Sequence, residues 1–146
     1  MATKQTVGSE SVKNHLGASF FWNLTDNVGY GYQNKESDVL LIQYFLNSII
    51  RFYNNNTGES KSLLVPDGKF GGKTWAKIKW IQGEFMGVAD GMVSPPNGDS
   101  LYTPKQGRVY TMYDLNSVYK NIYGHYFMDI RRDPNCPPSL ISHFTV

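Results

Sequence analysis

A chain of 146 residues, 40% of them hydrophobic, is long enough to bury a core without metal or disulfide staples, and a single domain is the default. Its 14 Lys+Arg against 12 Asp+Glu leave a formal charge of +2, too small to announce nucleic acid, which calls for clustered excess cation. The one cysteine, Cys136, excludes an intrachain disulfide, and no run approaches the ~20 apolar residues that span a bilayer, so neither nucleic acid nor membrane is expected as a partner.

Residues 1–15 are polar, show little periodicity and read as a mobile arm ahead of one domain over 16–146. Ala18 to Leu24 is short and aromatic, which suits an extended segment laid against the body, and Gly29-Tyr30-Gly31-Tyr32 reads as a loop. A first helix is expected from Ser37 as N-cap to about Tyr53, ended by Asn54-Asn55-Asn56-Thr57-Gly58. At 100° per residue Val39, Ile42, Leu46, Ile49, Ile50 and Tyr53 share one face, with Leu41, Phe45 and Phe52 beside them. So wide an apolar arc must be covered on more than one side, the second by the aromatic N-terminal segment or the C-terminal tail.

Asp67-Gly68-Lys69-Phe70-Gly71 then makes a tight turn. Asp-Gly supplies positive φ, Phe70 a buried anchor and Gly71 a close approach, while Asp67 or Thr74 satisfies backbone groups near the start of the next helix. A second helix over about Gly72 to Phe85 puts Thr74, Trp75, Ile78, Ile81, Gln82 and Phe85 on one arc, and Lys73, Ala76, Lys77, Trp80 and Glu84 on the opposite one. Asp90-Gly91-Met92-Val93-Ser94 repeats the turn 23 residues on, with Ser94 in place of the glycine. Leu101-Tyr102-Thr103 and Arg108-Val109-Tyr110, flanking Pro104-Lys105-Gln106-Gly107, read as a hairpin. A third helix follows from a Thr111-Met112-Tyr113-Asp114 capping box to Tyr123, with Gly124 as its stop and Leu115, Val118, Tyr119 and Ile122 inward. The tail from His125 is broken by prolines and ends apolar in Leu140, Ile141, Phe144 and Val146, so it is expected to be tied down.

Two blocks of this pattern carry a resemblance. Asp38-Val39-Leu40-Leu41-Ile42-Gln43-Tyr44-Phe45-Leu46 is similar to DVxxLQxxL, and Asp67 to Gln82 is similar to DGxFGxxTxxAVxxFQ, with Lys77 where alanine is usual. In that order, over roughly residues 31 to 94, they resemble the peptidoglycan-binding-like three-helix family. The resemblance implies a mainly α three-helix bundle with a core over about 31–94 plus a helix at 112–123. An N-terminal aromatic arm, a short inserted β-hairpin and an irregular C-terminal tail elaborate it. It also implies non-catalytic binding of peptidoglycan or a related cell-wall glycan, without a cofactor. Leu16 to Trp22 is too short for a secretory h-region, so delivery of a cytoplasmically made protein to periplasm or wall by lysis or a secretion machine is expected. The alternative is a structural or protein-interaction module of a phage particle or secretion apparatus reusing the fold.

No enzyme signature emerges. His15, His125 and His143 share no metal-ligand spacing, Cys136 lacks a nucleophile elbow, and Glu36, Glu59 and Glu84 sit where solvated helix ends and faces are expected. The candidate binding residues are polar and aromatic ones that the core does not account for. Trp80 with Lys73 and Lys77 forms a cationic face, Tyr44 and Arg51 take the outward side of the first helix, and Tyr30, Tyr32 and Asn34 line the same cleft. Asp67, Gly68, Phe70, Gly71 and Thr74 build the fold rather than the ligand site.

Overall fold

The computed structural model describes residues 3–104 and 106–144. Met1, Ala2, Lys105 and Val146, which entered the reading of the arm, the hairpin turn and the tail, lie outside the described residues. The protein is mainly helical with one two-stranded antiparallel sheet. In order it comprises β1 (Thr3–Thr6), α1 (Glu10–Leu16), β2 (Phe20–Asn23), α2 (Glu36–Thr57), α3 (Gly72–Phe85) and α4 (Thr111–Tyr123). Two 3-10 turns at Gly124–Tyr126 and Ile130–Arg132 and a short α5 (Pro138–Ile141) complete it.

The first helix runs four residues beyond its expected end and starts one residue before Ser37, with Lys35 as N-cap and Gly58 closing it in the left-handed region at φ 75°. From Ser37 to Ile50 every residue of α2 is buried, because α3, α4 and α5 all pack on it. Phe45 meets Tyr119 of α4 at 5.0 Å between ring centroids, so α4 supplies much of the cover that the wide apolar arc requires, whereas Phe52 stays exposed.

Polar residues in this apolar rod have specific tasks. The Asp38 carboxylate accepts the Thr25 N–H at 2.9 Å and the Asp26 N–H at 3.1 Å, fixing the loop ahead of α2. Asn47 exchanges bonds of 2.9 and 2.7 Å with the Leu64 backbone, and Asn54 does the same with Lys61 at 2.9 and 3.0 Å. These amides replace the missing sheet or helix partners of the returning chain, so its backbone is satisfied without regular structure.

Residues 3–15, expected as part of a mobile arm, carry a strand and a helix instead. β1 pairs with β2 in the register Thr3↔Asn23 to Thr6↔Phe20, and α1, capped by Ser9 and closed by Gly17 at φ 67°, sits between them. Val7, Val12, Leu16 and Phe21 bury against Tyr113 of α4 in a second small core. The aromatic segment from Ala18 to Leu24 does lie extended on the body: the Trp22 N–H donates to Asn116 Oδ1 at 2.8 Å and the Trp22 indole donates to the Phe127 carbonyl at 2.9 Å.

Two further features differ from expectation. Thr111 opens α4 rather than capping it, and Asp114 turns away to His15 at 2.7 Å, so no capping box forms. α4 ends at Tyr123 as expected, and Gly124, in right-handed helical geometry, passes the chain into a 3-10 turn. Among the described residues the expected hairpin is a single bridge, Tyr102↔Val109, too short to count as strands.

The two Asp-Gly turns are held by the same device. Gln43 Nε2 donates to Asp67 Oδ1, the Lys69 carbonyl and Thr74 Oγ1 at 3.1, 3.2 and 3.2 Å, while Gln43 Oε1 accepts the Gly68 N–H at 3.0 Å. Gln82 Nε2 donates to Asp90 Oδ1, the Met92 carbonyl and Thr111 Oγ1 at 3.0, 3.0 and 3.2 Å, and its Oε1 accepts the Gly91 N–H at 2.9 Å. Gly68 and Gly91 both have φ 71°. A Cβ on Gly68 would collide with Glu36 and Leu40, and one on Gly91 with Trp75 and Lys79. Those neighbours stand seven and three residues before Gln43 and Gln82 respectively, so helix, clasp and turn form an internal structural repeat.

Candidate functional site

α3 and its flanks gather the aromatic and cationic side chains. Because its inner face, Thr74, Ile78, Ile81 and Gln82, is buried against the core, the remaining residues divide between two flanks. On one, the half-buried Trp80 meets the edge of Tyr53 at 5.1 Å, and Lys61 Nζ lies 5.0 Å above its ring. Lys77 is half-buried beside them; its ammonium is held below the ordinary lysine value first by burial and then by the charge of Lys61. An anion placed between the two lysines would relieve that repulsion.

On the other flank, Trp75 carries Lys79 Nζ 4.0 Å above its ring and meets Tyr30 at 5.3 Å; Tyr30 in turn meets Phe70 at 5.1 Å. Tyr30 is 60% exposed and Tyr32 42%, and the Tyr32 hydroxyl donates to Met92 Sδ at 3.1 Å. Among the described residues no carboxylate lies within 4.0 Å of the ammonium of Lys69, Lys73, Lys77 or Lys79. The face is therefore two indoles, each with a lysine over its ring, edged by unpaired cations.

Of the expected site residues, Lys73, Lys77, Trp80 and Tyr32 keep an outward position. Among the described residues Trp80 meets Tyr53 from the end of α2 in an edge-on contact and carries Lys61 from the following chain above its ring. Tyr44 is a correction. It is 1% exposed, its hydroxyl donates to Asp133 Oδ2 at 2.6 Å, and it lies 2.5 Å from the Tyr119 hydroxyl, because the C-terminal tail and α4 close over the side of α2 taken as outward. Asn34 is a second one: at φ 55° it uses its side chain within the loop, accepting the Gly29 N–H at 2.8 Å and donating to the Gly29 and Tyr32 carbonyls at 2.9 Å. It shapes the loop, leaving no amide for a ligand. Tyr30 and Tyr32 face Phe70, Trp75 and Met92, so they do not share a cleft with Trp80.

Among the turn residues, Asp67 and Thr74 are bonded as expected and Phe70 is half-buried against the core. Gly71 makes no close approach: its φ is −151° and a Cβ there would meet open space, so its task is to cap α3 in extended geometry. The sequence reading missed Trp75 and Lys79 by placing Trp75 inward. The signal was the second Asp-Gly turn, since its repeat position requires a side chain seven residues before Gln82 to lie on Gly91.

The reactive groups are dispersed. His15 pairs with Asp114 at 2.7 Å, His143 lies 3.7 Å from Glu36, and the His125 ring sits tilted against Tyr126 at 4.0 Å between centroids. Among the described residues no three His, Cys, Asp or Glu side chains are placed to hold a metal ion, and no helix is long and apolar enough to cross a membrane. Cys136 is buried, and burial, with the Asp133 and Asp129 charges adding to it, pushes its thiol up to about 12. That is the reverse of an activated nucleophile. Native protein at about pH 8 is expected to resist iodoacetamide and to label fully in guanidinium; rapid labelling of the folded chain would contradict this placement. Comparison with protein-family models, curated proteins and solved structures found no match.

Proposed function

We propose that this chain is a non-catalytic module that binds peptidoglycan or a related cell-wall glycan through the outer face of α3 and the loop at Gly29–Tyr32. The observation that carries the reading is the pairing of each indole with a lysine, Trp80 with Lys61 and Trp75 with Lys79. An indole offers the face that its lysine leaves open to the C–H side of a sugar, and the ammonium groups of Lys73, Lys77 and Lys79, with no carboxylate within 4.0 Å among the described residues, are available to the carboxylates of the peptide stems. The resemblance of Asp38–Leu46 and Asp67–Gln82 to peptidoglycan-binding-like sequences supports the same reading.

Co-sedimentation with purified sacculi at low salt tests it. The wild type is expected in the pellet, with Trp80→Ala and Lys77→Glu each weakening capture about tenfold, or ~1.4 kcal/mol. Wild-type protein left in the supernatant would overturn the proposal. A second reading, docking onto a protein of a phage particle or secretion apparatus, is favoured by the apolar cleft of about 320 Å³ where α2, α3 and α4 meet, at whose mouth Phe52 and Phe85 are 43% and 51% exposed. It predicts that Phe85→Asp, and not Lys77→Glu, removes the interaction.

A further inference from the structure

The internal repeat exposes where the second copy departs from the first. From Asp67 to Thr74 the chain advances 7 residues, and from the equivalent Asp90 to Thr111 it advances 21, so the second junction carries 14 more. This extra chain is fixed at both edges. Asn23 Nδ2 donates to the Pro96 carbonyl and Gln5 Nε2 to the Asn97 carbonyl, each at 2.8 Å, and the Gly98 N–H donates to the buried Tyr113 hydroxyl at 3.0 Å. Further on, the Thr103 N–H donates to the Arg108 carbonyl at 2.7 Å and the Tyr110 N–H to the Leu101 carbonyl at 3.2 Å. The described residues of the insert form a wall, and between it and the Asp90 turn lies a cleft of about 370 Å³.

The chemistry of that cleft differs from the lysine-edged face of α3. Arg108 pairs through one Nη with Asp90 Oδ2, while Asp90 Oδ1 is already occupied by Gln82 and by the Met92 N–H. Among the described residues that line the cleft, Asp90 and Arg108 are the charged groups, and they neutralise each other. Among the described residues the other guanidinium N–H groups of Arg108 and the hydroxyls of Ser94 and Tyr110 have no hydrogen-bond partner, so they remain to serve a ligand. Met92 and Pro95 add apolar surface, and the Tyr110 ring is fixed edge-on against Tyr113 at 5.8 Å. Spare guanidinium N–H groups of an internally paired arginine, two unbonded hydroxyls and adjacent apolar surface suit a ligand that is itself half hydroxyl and half C–H.

We propose that the 14-residue insertion makes this cleft a subsite for one neutral sugar ring, recognised by Arg108, Ser94 and Tyr110 and joined to the α3 face through Met92 and Tyr32. This rests on the glycan-binding reading and adds to it a second contact point. The test is amide chemical-shift mapping of the intact protein with tri-N-acetylchitotriose up to about 10 mM, a range that detects even weak single-ring contacts. Saturating shifts are expected at Met92, Ser94, Thr103 and Tyr110, and Ser94→Phe, which fills the cleft without touching the Arg108–Asp90 pair, is expected to weaken them at least tenfold. Trp80→Ala should leave them in place. The wild-type map decides the matter even if a variant fails to fold. Shifts confined to α3, or none anywhere, overturn the subsite whether or not sacculi are bound. Shifts in the cleft with no capture by sacculi keep the subsite and remove the wall-binding reading.

Discussion

Replacing Gln43 by leucine is expected to destabilise the protein by about 3 kcal/mol, a drop in Tm of roughly 10 °C for a chain of this size. Leucine preserves volume and apolar packing, so the loss isolates the amide. It strands the buried Gly68 N–H, withdraws a donor from Asp67 and leaves Thr74 facing apolar surface. Gln82→Leu should cost a similar amount through Gly91, Asp90 and Thr111. The clasps also set the acid limit of the fold. The Asp67 carboxyl is held below its ordinary value by the Lys69 N–H and then by Gln43. Burial raises that of Asp90, but the bonds from Met92, Gln82 and Arg108 outweigh it and the net direction is down. A depressed carboxyl stabilises the native state above its unfolded value and loses that contribution as pH falls through the folded one. Stability should therefore decline as pH drops below the ordinary aspartate value of 3.8. Gln43→Glu reverses the trend locally, since a carboxylate facing Asp67 is worst near neutrality and eases when protonated. Thermal unfolding followed from neutral to acid pH checks both signs; a Gln43→Leu variant within 1 kcal/mol of wild type would mean that the clasp is incidental.

Asp133→Ala is expected to cost about 3 to 4 kcal/mol and to release the C-terminal tail. Asp133 Oδ2 accepts the hydroxyls of Tyr44 and Tyr119 at 2.6 and 2.9 Å, and its Oδ1 accepts the Asn135 N–H at 2.9 Å. Both tyrosines are fully buried, so removing the acceptor leaves two phenols deep in the core with only each other. Both phenol pKa values are raised, by burial foremost, which keeps the hydroxyls protonated as donors across the accessible pH range. Asp133→Asn retains a carbonyl acceptor and should cost much less. Denaturant titration gives the stabilities, and limited proteolysis reports the tail: cleavage after residue 124 should appear in Asp133→Ala and not in wild type. Combining Tyr44→Phe with Asp133→Ala should give a loss well short of the sum of the two, because they delete one shared interaction. Full additivity would show that the tail is held by apolar packing alone.

The three main helices were legible because their signals are local and strong: apolar spacing, an Asn-Gly-rich stop after the first and Asp-Gly turns before the others. The second turn was legible as a copy of the first. What the sequence concealed was set by long-range pairing. Thr3–Thr6 is polar and became a strand only because Phe20–Asn23 offered it an edge. Tyr44 carries a hydroxyl and so reads as an outward residue, yet its acceptor, Asp133, stands 89 residues away. Thr111-Met112-Tyr113-Asp114 has the composition of a capping box, but Gln82 engages the threonine and His15 the aspartate. At the candidate site, Lys73, Lys77 and Trp80 followed from helical phase alone. The grouping of Tyr30 with Trp75 did not, because it depends on where the loop before α2 crosses α3.

The seat of Trp75 has an optical consequence. Its indole rests on Gly91, beneath the Lys79 ammonium and beside Tyr30, while Trp22 is sealed inside the fold. With Trp80 replaced by phenylalanine, emission from this partly solvated chromophore therefore monitors the second turn and the occupancy of the surrounding surface at once, giving the molecule an intrinsic fluorescent gauge that needs no label.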